Sequence, residues 1–206
     1  MASEGKKILA MDYSQIELRL MAHYSKDQIM LDSFKNNEDI HKRTASEVFS
    51  VEMENVTDEM RRRAKTINFG LLYGMSAFGL SNQLSVSRAE AEEFLLNYFT
   101  KYSSIKVFMK DIVEQAKKDK YVSTLYGRKI HVPNIESPNY MLRQASERAA
   151  VNGPLQGSAA DIIKRAMINI FKESGGNEKD VKMILQVHDE LVFEVPEDYD
   201  EKNISY

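Results

Sequence analysis

Four side chains at four-residue spacing, Arg61, Lys65, Phe69 and Tyr73, carry a clear chemical pattern. Four residues turn a helix by about 400°, so each lies about 40° round from the last and the set forms one slowly drifting stripe. Its first half is cationic and its second half aromatic. Arg61 to Phe69 would cover roughly 12 Å of helix axis, about the length of an extended nucleoside triphosphate. Arg61 and Lys65, near a helix N-terminus whose dipole also favours anions, suit phosphates, while Phe69 and Tyr73 suit a sugar or base. The ordinary alternative is that Phe69 and Tyr73 belong to the core and the basic run is solvated. Gly70 and Gly74 would each cost a helix about 1 kcal/mol relative to Ala, which suggests a bare surface that something approaches closely.

Acids form a second group. Asp12 ends a short apolar run, and Asp189 lies in His188-Asp189-Glu190 between the apolar runs 182–187 and 191–195, which read as a tight hairpin with acids at its tip. A strand beside that hairpin would bring Asp12 and Asp189 to one edge of a sheet. Two carboxylates sharing two hard divalent cations can activate an attacking oxygen and neutralise a leaving pyrophosphate. Taken singly, each Asp suits a turn equally well, Glu190 suits an exposed position, and Ser14 with Glu17 reads as a capping box. Arg148, Asn152 and Gln156, again four apart, suit contacts in a nucleic-acid minor groove or the capping of a broken helix. His188 lies where it could reach a phosphate, and His41 reads as part of an ordinary helix start.

The elements that must position these residues follow from pattern. Lys7 to Met11 reads as a strand followed by a helix, and helical patterns run from Asp58 to Met75 and from Ser87 to Lys118. Val122 to Val132 reads as a hairpin closed by Pro133, with Tyr126-Gly127-Arg128 at the turn. A helix from Asn139 is expected to break or kink at Pro154 and a second to run from Ser158 to Lys172. This order lacks the alternation of a doubly wound sheet and predicts an α+β fold, with helices on one side of a small antiparallel sheet.

Composition bounds the rest. The 206 residues allow one domain or two small ones, and 43% apolar with 29% charged residues excludes collagen-like and disordered classes. Without cysteine there is no disulfide framework, thiolate zinc site or cysteine nucleophile. No apolar run approaches the roughly 18 residues of a membrane span, and the start lacks a signal peptide's apolar stretch, so an intracellular setting is expected. The net charge of −3 argues weakly against nucleic acid. Its distribution is more telling: Lys101 to Lys129 holds eight basic and three acidic residues, whereas Asp189 to Glu201 holds seven acidic and no basic ones. A basic groove beside an acidic cation centre fits this asymmetry, as does a solvated face with an acidic tail.

The motifs carry a resemblance that composition does not. Asp12-Tyr13-Ser14-Gln15-Ile16-Glu17-Leu18-Arg19 resembles motif A of family A DNA polymerases, of the bacterial polymerase I type. Residues 61–74 resemble motif B, the fingers helix, and Gln186-Val187-His188-Asp189-Glu190 resembles motif C. Between them, 147–157 and 159–163 also fit, so the resemblance covers about Lys7 to Pro196. It implies that Asp12 and Asp189 hold two Mg²⁺ with the Tyr13 carbonyl as a further ligand, and that Glu190 lies near them. It implies that Lys65 meets the phosphates and donates a proton to pyrophosphate, and that Arg61 and His41 grip the triphosphate. Phe69 would pack on sugar and base, Tyr73 would border the templating base, and Glu17 would crowd a ribose 2′-hydroxyl, with Gln15 in the same nucleotide-binding set. Arg148, Asn152, Gln156, His188 and Arg128 would touch primer-template DNA.

The expected organisation is a palm segment with motif A at 1–25, helical fingers at 26–135 and a palm segment with motif C at 136–206. The resemblance implies a DNA-templated DNA polymerase adding dNMP to a primer 3′ end by two-metal phosphoryl transfer. The alternative is a non-catalytic nucleotide- or DNA-binding module. The family also has a thumb and the first part of the palm before motif A and further palm strand after motif C, which this sequence lacks. A fragment, or one piece of a two-chain polymerase, is therefore expected, pairing with a complementary fragment or with itself. The expected location is cytoplasmic, at the nucleoid, or another intracellular DNA-containing compartment.

Overall fold

A computed structural model describes residues 2–173 and 181–200. In chain order these form β1 (Lys6–Asp12), α1 (Ile16–Ser25), α2 (Gln28–Lys35), α3 (Ile40–Phe49), α4 (Asp58–Leu72), α5 (Ala77–Leu84), α6 (Arg88–Lys101) and α7 (Ser103–Asp119). There follow β2 (Tyr121–Ser123), β3 (Lys129–His131), α8 (Tyr140–Glu173), β4 (Lys182–Val187) and β5 (Glu190–Pro196). The expected α+β class is what forms. The chain divides into two compact units, Met1–Ile16 with Ala159–Tyr206, and Glu17–Ser158. The last acid of the acidic stretch, Glu201, lies outside the described residues.

The first unit is an antiparallel sheet of order β1-β5-β4. Side chains alternate across a strand, so Leu191, Phe193 and Val195 of β5 and Leu9 and Met11 of β1 share one face, where they pack with Ile163, Met167 and Ile170 of α8. Asp12 is paired with Glu190 in the β1–β5 register. Both therefore lie on the opposite face from that core.

In the second unit helices start at side-chain caps. Thr57 accepts from the Met60 amide at the start of α4, Ser87 from Glu90 at α6, and Asp39 from His41 and Lys42 at α3, each satisfying amides that have no intrahelical partner. The core includes Leu18, Met21, Ile40, Ile67, Tyr98, Tyr102 and Ile105, all at 2% exposure or less. The β2–β3 hairpin packs through Val122 and Ile130 against Ala116 of α7 and Ala150 of α8.

Three local expectations are corrected. The helical run from Ser87 to Lys118 is two helices separated at Tyr102, whose φ of −100° and ψ of 54° are not helical. The turn buries the Tyr102 ring against Tyr98, at 4.6 Å between centroids. Pro154 does not divide its helix: α8 runs unbroken through it for 34 residues. One missing donor is tolerated where flanking packing is close, since a Cβ at Gly157 would lie 2.7 Å from Thr124 Cγ2 and one at Gly153 3.2 Å from Val122 Cγ2. Finally, Gly70 and Gly74 do not bare a helix surface. A Cβ at Gly70 would meet Met75 Sδ at 3.3 Å, and Gly74 lies beyond α4 with φ +66°, where a Cβ would lie 2.6 Å from Arg148 Cγ. The close approach is made by the chain's own side chains.

Candidate nucleotide and metal site

The sheet edge of the first unit brings the two aspartates together. The Tyr13 amide donates to the Asp189 carbonyl at 3.2 Å, tying the end of β1 to the turn of the β4–β5 hairpin. That turn has two central residues, His188 and Asp189, and Glu190 is not at its tip but opens β5. His188 has φ 53°, a left-handed conformation that costs a non-glycine residue about 1 kcal/mol or more. Gln15, in the turn after β1, is also left-handed, with φ 56°. Burial, and then the charge of Asp189, raise the Asp12 carboxyl above its ordinary value. A cation between two such carboxylates relieves their repulsion. Among the described residues no group of three or more acids and histidines is arranged to hold a metal ion, so Glu190 does not complete a three-ligand cluster with Asp12 and Asp189.

In the second unit the stripe forms on α4. Arg61 and Phe69 are half-buried and Lys65 is exposed. Tyr73 caps the helix C-terminus at 42% exposure, so it is not core. Arg61 Nε donates to Asp39 Oδ2 at 2.6 Å. Burial works against the charge on Asp39, but this contact and the amides of Lys42 and His41 hold its carboxyl below the ordinary value. Asp39 thus caps α3 and orients Arg61. The sequence reading missed it, although an Asp directly before an apolar-periodic segment is a cap signal.

His41 is 3% exposed, tilted against Phe69 at 5.7 Å between centroids. Burial, opposed by Asp39 and assisted by Arg61 and Lys65, pushes its pKa down to about 4. The ring is neutral at neutral pH, and Asn68 Nδ2 lies 3.2 Å from its Nδ1. Glu17 also departs from its expected alternative. Helix α1 begins at Ile16, which puts Glu17 in its second position rather than the third that a capping box from Ser14 requires. Its Oε2 instead accepts from the Tyr73 hydroxyl at 3.0 Å.

Because α8 is continuous, Arg148, Asn152 and Gln156 share one helix face. Arg148 and Gln156 are exposed, whereas the buried Asn152 Oδ1 has no hydrogen-bond partner among the described residues. Tyr73, Gly74, Gln144 and Arg148 line a cavity of about 570 Å³. Arg128, expected at DNA, donates from Nη2 to the Gly157 carbonyl at 2.9 Å and so also fastens the hairpin to α8.

The chain belongs to DNA polymerase family A, whose profile matches residues 1–205. Among its relatives, DNA polymerase I of Pseudomonas aeruginosa is 52% identical over 200 residues, 96% of this chain and 22% of that protein. DNA polymerase I of Bacillus subtilis is 47% identical over 191 residues, 93% of this chain and 22% of that protein. The chain thus spans about a fifth of the length of these relatives. A solved structure described as the POL domain of Pol1 from M. smegmatis in complex with DNA primer-template and dNTP superposes with a TM-score of 0.89 at 46% identity, covering 96% of this chain and 35% of that one. No helix among the described residues is long and apolar enough to cross a membrane.

Proposed function

We propose that this chain carries the nucleotide-binding and metal-binding part of a DNA-directed DNA polymerase that adds dNMP to a primer 3′ end. The observation that carries the reading is the nearness of Asp12 to Asp189, through the Tyr13 amide bond to the Asp189 carbonyl and the effect of the Asp189 charge on Asp12, in a chain of this family. The donor set fits a hard cation, being all oxygen, with two mutually repelling carboxylates. Asp12, Asp189 and the Tyr13 carbonyl would hold two Mg²⁺, which when bound supply neutralisation of phosphate charge, and Glu190 lies beside them without ligating. Palm residues are 1–25 and 136–206, and fingers residues 26–135.

Lys65, exposed on α4, meets the triphosphate and gives a proton to the leaving pyrophosphate. Arg61, oriented by Asp39, pairs with phosphate oxygens through the guanidinium nitrogens that Asp39 leaves open. His41, neutral, donates rather than adding charge. Phe69 packs on sugar and base, and Tyr73 borders the templating base while its hydroxyl holds Glu17 against the position of a 2′-hydroxyl; Gln15 belongs to the same nucleotide-binding set. Arg148, Asn152, Gln156, His188 and Arg128 contact the primer-template.

Primer extension by this chain, alone and with a fragment supplying thumb and outer palm, tests the reading. Extension in the completed enzyme is expected to be abolished by Asp12→Ala and by Asp189→Ala, because one carboxylate does not fix both ions. Near-normal single-turnover rates in either variant would refute the assignment. A chain that binds nucleotide or DNA but never extends a primer, even when completed, would leave a binding module.

A further inference from the structure

We propose that Asn68 is a positioning residue that holds the His41 ring with its proton on Nε2, presenting that N–H to an anion gripped by Arg61 and Lys65. The proposal rests on the triphosphate reading above and deepens it.

The assignment follows from counting donors. Thr44 Oγ1 lies 2.9 Å from the Ile40 carbonyl, one turn earlier on α3, and 3.0 Å from Asn68 Nδ2. A hydroxyl has one proton and the carbonyl can only accept it, so Thr44 donates to Ile40 and accepts from the amide. The amide oxygen is farther from that hydroxyl, at 3.2 Å. Asn68 Nδ2 has two hydrogens. One goes to Thr44, and the other points to His41 Nδ1 at 3.2 Å. Since an NH₂ group does not accept, Nδ1 must offer a lone pair, and the single proton of a neutral ring then sits on Nε2.

Burial makes this arrangement binding. Asn68, Thr44 and Tyr102 are 1%, 0% and 0% exposed, which leaves no water to take over the Nδ1 contact. The Tyr102 hydroxyl, 3.4 Å from Thr44 Oγ1, closes the far side of the network. Nε2 is different: it has no partner among the described residues, yet it is not one of the buried polar atoms sealed without one. It is the ring's opening to solvent. With the proton on Nδ1 instead, Nε2 would turn a lone pair toward phosphate oxygens and repel them.

The nitrogen-15 shifts of His41 in the 206-residue chain distinguish the tautomers directly, independently of any nucleotide. Expected is a ring protonated on Nε2 in the unsubstituted protein, and in Asn68→Leu, which fills a similar volume without a donor, a mixture of both tautomers with the remaining amide spectrum retained. Titration with dTTP and Mg²⁺ should move the Nε2 resonance, and the dissociation constant should rise roughly three- to tenfold in Asn68→Leu, the worth of one neutral hydrogen bond such as that from Asn68 to His41. A ring protonated on Nδ1 in the unsubstituted protein overturns the role of Asn68, a result that survives even if the variant fails to fold. An Nε2-protonated ring that does not respond to dTTP overturns the anion role and locates the failure in the triphosphate reading rather than in the tautomer.

Discussion

A histidine kept neutral by its surroundings lowers stability once the unfolded chain takes up a proton that the folded chain refuses. The His41 value is pushed from 6.5 down to about 4 by burial, opposed by Asp39 and assisted by Arg61 and Lys65, so between these limits the unfolded state binds more protons. Stability should therefore fall as pH drops from about 6.5 towards about 4, with no further change from this group below that. Asp39, held below its ordinary carboxyl value, acts in the same direction in more acid solution: its contribution is present above the unfolded value of 3.8 and is lost as pH falls through the folded one. The thermal midpoint is expected to decline more steeply between pH 6.5 and 4 than that of His41→Gln, and parallel curves would remove His41 from the explanation. The hydrogen bond from Tyr73 to Glu17 sets a second expectation. Glu17→Ala should raise ribonucleotide incorporation by the completed enzyme, and Tyr73→Phe should do so to a lesser degree, because Glu17 is then less firmly held. Unchanged sugar selectivity in both, measured as the ratio of kcat/KM for dNTP and rNTP, would leave the pair a surface contact. At this scale the stripe from Arg61 to Tyr73 was legible because its members share a helical period. The Asn68–Thr44–Tyr102 network was not, because its contacts bridge 24 and 58 residues, and no local spacing signals a buried polar partner that far away.

Among the elements, helix α8 tests how tertiary packing overrides local preference. Pro154 within a helix removes one backbone bond and reads as a break, yet the helix continues through it, and the hairpin comes close to α8 at the nearby Gly153 and Gly157. Tyr102 is the converse. The expected single helix divides there, where the ring is buried against Tyr98, in a stretch from Asn97 to Ser104 whose Asn, Tyr, Phe, Thr and Ser are only moderate helix formers. The sheet was read correctly, because alternation of Leu191, Phe193 and Val195 fixes which side faces the core and one-residue slips would expose it. The glycines give the measurable consequence. Gly157→Ala puts a Cβ 2.7 Å from Thr124 Cγ2 and 2.9 Å from Ile130 Cδ1, an overpacking expected to cost about 1 to 3 kcal/mol. Gly153→Ala, whose nearest contacts are 3.2 and 3.3 Å, should cost less. Denaturant midpoints order the two, and an unchanged midpoint for Gly157→Ala would mean that the hairpin shifts freely on α8.

For the whole molecule, the exposed backbone and apolar side chains of β4 decide how the chain behaves in solution. β4 lies at the edge of the sheet order β1-β5-β4, its pairing with β5 shifts register between Met183 and Leu185, and Ile184, Leu185 and Val187 are 45%, 55% and 41% exposed. An edge with apolar side chains is a template for pairing with another chain, and charge on it is the usual means of preventing that. Here only Lys182 supplies a charge along β4 itself. The chain is therefore expected to self-associate, with a light-scattering mass that rises with concentration and falls back when Leu185→Lys puts a charge in the middle of the strand. Any DNA binding by the same sample is expected to weaken steeply with added salt, since contacts from the basic stretch between Lys101 and Lys129 would act through phosphate neutralisation. Leu185→Lys should leave that salt dependence intact, which separates assembly through the sheet edge from binding through the helices. A monodisperse monomer at all concentrations, with Leu185→Lys indistinguishable from the unsubstituted chain, would mean that twist and the irregular register alone protect β4, and that its apolar residues do not draw copies together.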